Sequence, residues 1–169
     1  MLLNMIISFL YHQQRATGLA WYNIIHMRTD FFVAGRTRNI PQILEVCKAL
    51  DSVDKTYYCF AKNEDSHKKA GLDLHTDPNQ LAEDFERREL GSESVRAIFE
   101  DDLDGLKLSN NFLLVLPAGK SAHIEAGIAY GLGKHCYAIG SYEKTDSLYL
   151  IFDKIFASIE EMKEYFGQS

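Results

Sequence analysis

Residues 111–134 read NFLLVLPAGKSAHIEAGIAYGLGK, and this stretch decides the fold. Positions 112–116 are apolar without alternation, which predicts a buried strand in a parallel sheet that is covered on both faces. Pro117 is expected to end that strand, Ser121 to cap the helix that follows, and Gly133 to end the helix. A strand that leads directly into a helix is the repeating unit of α/β proteins.

Glu125 is expected in the first turn of this helix, at the carboxyl end of the central strand, where open α/β sheets bind ligands. The positive end of the helix dipole favours an ionised carboxylate, which is the form that a nucleophile requires. A glutamate in a first turn can also simply complement the dipole, and this alternative stays open. The helix is predicted to pack through large apolar residues, while small residues let it lie close to the sheet: Ile124, Ile128 and Leu132, with Ala126, Gly127, Ala129 and Gly131.

Outside this stretch, short apolar runs alternate with helical segments. This pattern predicts a mostly parallel sheet of four or five strands with helices on both faces. The predicted strands are 31–34, 57–61, 112–116 and 136–139, with 148–152 as a fifth.

Helices are predicted at 40–50, at 80–108 with a break near Gly91, and at 158–166. The last begins with Ser158-Ile159-Glu160-Glu161, a capping-box pattern. The polar segment 62–80 predicts a long loop, which makes it a candidate lid over a site.

The composition fits a single globular domain: the chain has 169 residues, of which 46% are apolar and 25% charged. A formal charge of −6 with scattered Lys and Arg disfavours a nucleic acid polymer as a partner, although one phosphate can still bind at a helix N-terminus. Three widely spaced cysteines predict reduced, buried thiols and a cytoplasmic location, with a Cys59–Cys136 bridge left open.

Residues 1–26 are interpreted as an N-terminal extension of uncertain role, ahead of a domain at 27–169. The apolar run 1–11 contains Asn4 and is shorter than the roughly 20 residues of a membrane span. No basic residue precedes it, so it also matches a signal peptide poorly. We therefore expect no membrane association, and an amphipathic arm used in self-association is the functional alternative.

Three motifs, spread over about two-thirds of the chain, make the sequence resemble one enzyme superfamily. They are Phe31-Phe32-Val33-Ala34-Gly35-Arg36, Asp102-Leu103-Asp104-Gly105-Leu106, and Glu125-Ala126-Gly127-Ile128-Ala129 followed by Gly133-Lys134. This set is similar to the motifs of the nucleoside 2-deoxyribosyltransferase superfamily, which includes deoxynucleoside 5′-monophosphate N-glycosidases. The resemblance implies a flavodoxin- or Rossmann-like three-layer α/β fold and a homo-oligomer, often with a neighbouring subunit completing the site.

The resemblance also implies roles for two acidic residues. Glu125 would attack C1′ of a deoxynucleoside, expel the base and form a covalent glycosyl-enzyme, which water or a second base would then resolve. Asp102 would protonate or hydrogen-bond the base, and this role requires its pKa to be raised by burial or by a neighbour such as Asp101 or Glu100. The competing interpretation of Asp102 is a solvated acidic run at 100–104.

Five further residues are predicted to contact the substrate. Gly35 and Arg36 form the turn after the first strand, where Arg36 can bind a 5′-phosphate unless it is merely solvated. Gly119 departs from the family pattern, which carries Asp or Ser at this position, six residues before the nucleophile. Ser121 and His123 can substitute for it, Ser121 by bonding a sugar hydroxyl or phosphate and His123 as a proton donor. The alternative for His123 is a surface residue, or one that acts only behind the residues touching the substrate.

Other sites are excluded by their motifs. Ala118-Gly119-Lys120-Ser121 is not a phosphate-binding P-loop, because Leu114 stands where that motif needs glycine. No metal-ligand spacing occurs, so neither a metal nor a cofactor is expected. The predicted ligand is a small nucleoside or nucleotide. Besides base exchange, the open alternatives are a deoxynucleoside monophosphate N-hydrolase, a glycohydrolase of the NAD type, and a nucleotide-binding module without catalysis.

Overall fold

The computed structural model describes residues 28–142 and 146–168. The predicted N-terminal extension, 1–26, lies outside the described residues. The strands are β1 Thr29–Ala34, β2 Tyr57–Cys59, β3 Ser109–Val115, β4 His135–Ile139 and β5 Lys154–Phe156. The helices are α1 Ile40–Asp51, α2 Glu64–Lys69, α3 Pro78–Glu86, α4 Glu93–Leu108, α5 Lys120–Gly131 and α6 Ile159–Gly167.

The five strands form one parallel sheet in the order β2-β1-β3-β4-β5. The register aligns Val33 of β1 with Leu113 of β3, and Leu113 with Tyr137 of β4. This strand order is that of flavodoxin-like doubly wound proteins. The predicted fold class is therefore confirmed.

Each face of the sheet carries its own apolar core. On one face, Phe31, Val33 and Leu113 pack with residues of α1 and α6 such as Ile43 and Met162. The other core consists of Phe32, Phe112, Leu114 and their neighbours together with α4 and α5. Because β3 is buried on both faces, it is apolar at every position from 112 to 115.

The prediction of a strand at 148–152 is wrong. Residues Ser147–Ile151 form a 3₁₀ helix, and the fifth strand is β5, which pairs Ile155 with Ala138. Leu148 and Leu150 are 72% and 88% exposed, so the apolar residues of this run do not enter the core. Strand β2 is also shorter than predicted, because residues Phe60–Lys62 turn into a 3₁₀ helix.

Segment 62–80 is not the predicted long loop. Asn63 accepts a hydrogen bond from the Ser66 amide and starts α2, while Asp77 caps α3 ahead of Pro78. Asn and Asp at these positions are standard N-cap residues, and proline suits the first turn of a helix. The predicted break near Gly91 is confirmed, since α3 ends at Glu86 and α4 begins at Glu93.

Helix α5 differs from its prediction in its start and in the face that it buries. Gly119, not Ser121, occupies the N-cap position. Ile124 and Leu132 are 65% and 45% exposed, whereas Ala122, Ala126 and Ala129 face the sheet; the exposed Gly127 and Gly131 do not. Ile128 is half-buried and packs against the core as predicted. Alanine on the inner face lets the helix axis lie close to β3, so Ile124 and Leu132 are left on the outer face.

Both predicted signals at helix ends are confirmed. Gly133 has φ +73° and ends α5, with the Lys134 amide donating to the Ala129 carbonyl at 3.1 Å. At the start of α6, the Ser158 hydroxyl accepts from the Glu161 amide at 3.1 Å, and Glu161 accepts from the Ala157 amide at 2.8 Å.

Cys47, Cys59 and Cys136 are free and buried, as predicted. The open alternative of a Cys59–Cys136 bridge is excluded, because β1 and β3 lie between β2 and β4 and the two thiols face opposite cores. Among the described residues, no helix is long and apolar enough to cross a membrane.

Candidate active site

The fold brings Asp102 and Glu125 together, although they lie on different helices. Asp102 projects from α4 and Glu125 from α5, the two helices that cover the same face of the sheet. The two carboxyl groups are close enough that the charge of Asp102 contributes to raising the pKa of Glu125. The two residues that the motifs single out therefore share one site.

Asp102 is held by β2 as well as by its own helix. The Tyr58 hydroxyl donates to Asp102 Oδ1 at 2.8 Å. Burial raises the pKa of Asp102 to about 6, against the opposing effect of the Tyr58 hydrogen bond and with a further rise from Asp101. Asp101 in turn lies 3.5 Å from Lys69 of α2. A raised pKa is what the proposed acid role of Asp102 demands.

Tyr58 and Asn63 were not predicted as site residues. The Asn63 amide donates to the Tyr58 hydroxyl at 3.0 Å, so Asn63, Tyr58 and Asp102 form a hydrogen-bonded chain. The ring of Tyr58 stacks on Phe32 with the centroids 5.2 Å apart. A polar Asn shortly after a short strand is a weak signal, and nothing in the sequence pairs Tyr58 with a residue 44 positions away.

Gly105 explains the spacing of the second motif. A Cβ atom at this position would lie 2.6 Å from two atoms of the Tyr58 ring, far inside van der Waals contact. Because Gly105 follows Asp102 by three residues, both lie on the same face of α4. Gly105 leaves room for the Tyr58 ring, and Asp102 accepts a hydrogen bond from the hydroxyl of the same tyrosine.

Glu125 is the sixth residue of α5 and therefore lies in its second turn, not in the first turn that was predicted. Burial, followed by the charge of Asp102, raises its pKa to about 8. The expected stabilisation of an ionised carboxylate by the helix dipole is thus outweighed, because the dipole effect falls off beyond the first turn. The free site favours a protonated Glu125 at neutral pH.

In the predicted substrate-binding turn, Gly35 has a packing role, whereas Arg36 is exposed. A Cβ atom on Gly35 would lie 2.6 Å from Ile43 Cδ1, so this glycine allows α1 to pack against the strand end. Arg36 is exposed, and its Cγ lies 3.9 Å from where a Cβ of Gly119 would be. The neighbouring Arg38 is engaged in a two-bond ion pair with Glu86, at 2.7 and 3.1 Å. The turn and the start of α5 are therefore adjacent, with room between them.

Ser121 and His123 lie on the exposed side of α5. His123 Nδ1 donates to the Gly119 carbonyl at 2.7 Å, and Nε2 lies 3.1 Å from the Tyr149 hydroxyl. Both ring nitrogens thus already have partners, so His123 connects α5 to the 3₁₀ helix at Ser147–Ile151. Within residues 28–142 and 146–168, no cluster of His, Cys, Asp and Glu could hold a metal ion.

The fold and the paired carboxyl groups define a flavodoxin-like α/β protein with an acidic site on one face of its parallel sheet. A solved structure with this fold is a 2-deoxyribosyltransferase from the psychrotolerant bacterium Bacillus psychrosaccharolyticus, with a TM-score of 0.53. It is 19% identical in sequence, and the similarity covers 80% of this chain and 90% of that one. No family model matches the sequence, and no curated protein does. The expected resemblance is therefore confirmed at the level of the fold.

Proposed function

We propose that this protein cleaves or exchanges the N-glycosidic bond of a deoxynucleoside or nucleotide, with Glu125 as the nucleophile and Asp102 as the acid. The observation that carries the proposal is the pairing of two half-buried acidic residues whose pKa values are raised to about 6 and about 8. Perturbed carboxyl pairs of this kind are typical of active sites. The fold shared with a 2-deoxyribosyltransferase supports the same reaction class.

The proposed reaction has two displacements at C1′. A Glu125 oxygen attacks C1′, the electrons of the C1′–N bond pass to the base, and Asp102 gives its proton to that base. Attack on the same carbon by water or by a second base then releases Glu125, and the nucleophile's proton passes to Asp102. Hydrolysis and base exchange differ only in this second nucleophile.

Between pH 6 and 8 the pair holds one proton, because interacting carboxyls titrate as a unit. The higher pKa of Glu125 places that proton mainly on Glu125 in the free site. Catalysis requires the proton on Asp102. A nucleobase nitrogen that accepts a hydrogen bond from Asp102 favours this second arrangement, so binding of the base prepares the nucleophile.

The structure bears on three alternatives to base exchange on a deoxynucleoside. The exposed Arg36 beside the uncapped start of α5 favours a 5′-monophosphate, since guanidinium groups bind phosphate through two hydrogen bonds. Gly119 in place of a polar residue favours the alternative of a nucleotide-binding module without catalysis. Hydrolysis of a related bond, such as the nicotinamide bond of NAD, would use the same two carboxyl groups.

Release of free base tests the proposal. The protein is incubated with deoxynucleosides, deoxynucleoside monophosphates or NAD, with and without an acceptor base. We expect base release that is lost in Glu125→Ala and kept in Glu164→Ala, a control at an exposed glutamate of α6. A fluorinated arabinosyl nucleoside should form an adduct that maps to Glu125. If nucleotide binds but base release does not exceed that of Glu125→Ala, the protein is a nucleotide-binding module without catalysis. If the adduct forms on another residue while turnover is intact, Glu125 is not the nucleophile.

We further propose that copies of the chain associate through the outer face of α5. Ile124 and Tyr130 on this face are 65% and 58% exposed, and Phe99 on the neighbouring α4 is 58% exposed. Added Cβ atoms on Gly127 and Gly131 would meet only open space, so a partner helix can approach closely there. Exposed apolar patches of this kind are typical of protein interfaces.

A further inference from the structure

We infer that Tyr58, oriented by Asn63, is the positioning residue that turns Asp102 into a proton donor with one defined donating oxygen. The inference rests on the function proposed above. It starts from the hydrogen-bonded chain of Asn63, Tyr58 and Asp102, which joins β2, the start of α2 and α4.

The direction of the hydrogen bonds between Asn63, Tyr58 and Asp102 follows from the amide group of Asn63. An amide nitrogen can only donate, so Asn63 Nδ2 occupies a lone pair of the Tyr58 oxygen. The amide oxygen of Asn63 is engaged by the Ser66 amide at 3.2 Å, which fixes which end of the amide faces the tyrosine. The Tyr58 proton therefore points to Asp102 Oδ1, which acts as an acceptor in both protonation states of the carboxyl.

The consequence concerns the other carboxyl oxygen. Asp102 Oδ2 accepts no hydrogen bond from any residue in 28–142 or 146–168. With Oδ1 committed to Tyr58, the transferable proton resides on Oδ2. The base can thus meet a single oxygen in a single orientation, and such fixed orientation is a large part of acid catalysis.

The ring of Tyr58 is itself immobilised. It lies between Phe32, on which it stacks, and the backbone of α4 at Gly105. The other ionisable groups facing Asp102 are Asp101 on its own helix, paired with Lys69 of α2, and Glu125 on α5. Among these groups, Tyr58 is the one that donates a hydrogen bond to Asp102. Removing its hydroxyl should therefore change the titration of Asp102 in a way that the other groups cannot reproduce.

The test uses Tyr58→Phe, which keeps the ring, with Tyr57→Phe as the matched control. Tyr57 is the adjacent residue of β2, but its hydroxyl contacts Asp51 and Lys62. Carboxyl carbon NMR on the ligand-free protein reads the titration of Asp102. We expect Tyr58→Phe to move that titration upward by about one pH unit, because the ionised form loses a donor, and Tyr57→Phe to leave it in place.

A second variant tests the role of Asn63. Asn63→Ser retains a residue that caps α2 but is too short to reach the Tyr58 hydroxyl. We expect a smaller upward movement of the Asp102 titration in the wild-type background and none in the Tyr58→Phe background. Equal movements in the two backgrounds would overturn the proposed order of the chain.

Leaving groups separate positioning from a general structural role. Expulsion of a nucleobase needs an acid, whereas expulsion of nitrophenolate does not. Tyr58→Phe should lower kcat by about tenfold for a deoxynucleoside and hardly at all for nitrophenyl 2-deoxyriboside. Equal losses on both substrates, or an Asp102 titration that does not move, would overturn the inference. If the wild-type protein cleaves neither substrate, the proposed function fails, while the NMR titration still decides the role of Tyr58.

Discussion

At the scale of single residues, the main feature of the candidate site is a pair of carboxyl groups with raised pKa values. Glu125 and Asp102 are both half-buried, and burial is the largest cause of the raised pKa of each. The protein therefore loses stability to keep these groups in the same place. Such a cost is common at active sites, where function and stability compete.

Glu125→Gln should stabilise the protein more at pH 8 than at pH 5. Because the folded state raises the pKa of Glu125 from 4.5 to about 8, it binds this proton more tightly than the unfolded chain does. That contribution is fully present below about pH 4.5 and is lost as the pH rises toward 8. The glutamine variant lacks this loss, so its advantage in free energy of unfolding should grow across the interval. Urea denaturation at both pH values measures it.

Glu161→Gln is the control for this experiment. Hydrogen bonds from the Ala157 amide and from Lys154 lower the pKa of Glu161, so it is largely ionised in both the folded and the unfolded state between pH 5 and pH 8. The effect of its substitution on the free energy of unfolding should therefore differ little between pH 5 and pH 8. A Glu125→Gln effect that is equally flat would show that Glu125 is not enclosed in the folded protein.

At the scale of secondary structure elements, α4 and β2 fit together through one glycine and one ring. Gly105 leaves the space that the Tyr58 ring fills, and Asp102 lies one turn earlier on the same helix. The D-x-x-G spacing of the second motif thus fits the packing of the Tyr58 ring and the hydrogen bond of its hydroxyl. Helix α5 illustrates the same close fit, since its inner face consists of alanines.

Gly105→Ala should lower the free energy of unfolding by about 1–3 kcal/mol, because the new methyl group overlaps the Tyr58 ring. Thermal or urea denaturation followed by circular dichroism measures the loss. In a Tyr58→Ala background the ring is absent, so the same change should cost nothing. A loss of equal size in both backgrounds would mean that the ring is not the cause.

At the scale of the whole molecule, the outer face of α5 is an exposed apolar surface. The sheet covers the inner face, and the apolar side chains Ile124 and Tyr130 remain exposed beside Glu125. A second copy placed on this face would lie next to the site. Under the two proposals above, association and catalysis would be coupled through this helix.

Tyr130→Glu should weaken self-association by at least about tenfold, since a buried charge replaces an apolar contact. Size-exclusion chromatography with light scattering measures the change over a range of concentrations. Gln42→Glu is the control, because it adds the same charge at an exposed position of α1, on the opposite face of the sheet. A monomeric wild-type protein would refute the interface, and so would equal behaviour of the two variants.

The sequence by itself determined the class of fold, the positions of four strands and of every helix except α2, and the two acidic residues of the candidate site. Such features are local: unbroken apolar runs define buried strands, and cap residues define helix ends. The strand predicted at 148–152 was wrong because the prediction was also local. An apolar run does not show whether the edge of a sheet is available to pair with it.

Only the tertiary structure decided which face of α5 is buried, that Tyr58 donates to Asp102, and that Glu125 favours its protonated form. These properties depend on residues that are far apart in sequence, as Tyr58 and Asp102 are, and on how much water the surrounding elements exclude. A motif can place two carboxyl groups on two helices. The distance and the solvent between them arise only when both helices pack on the same sheet.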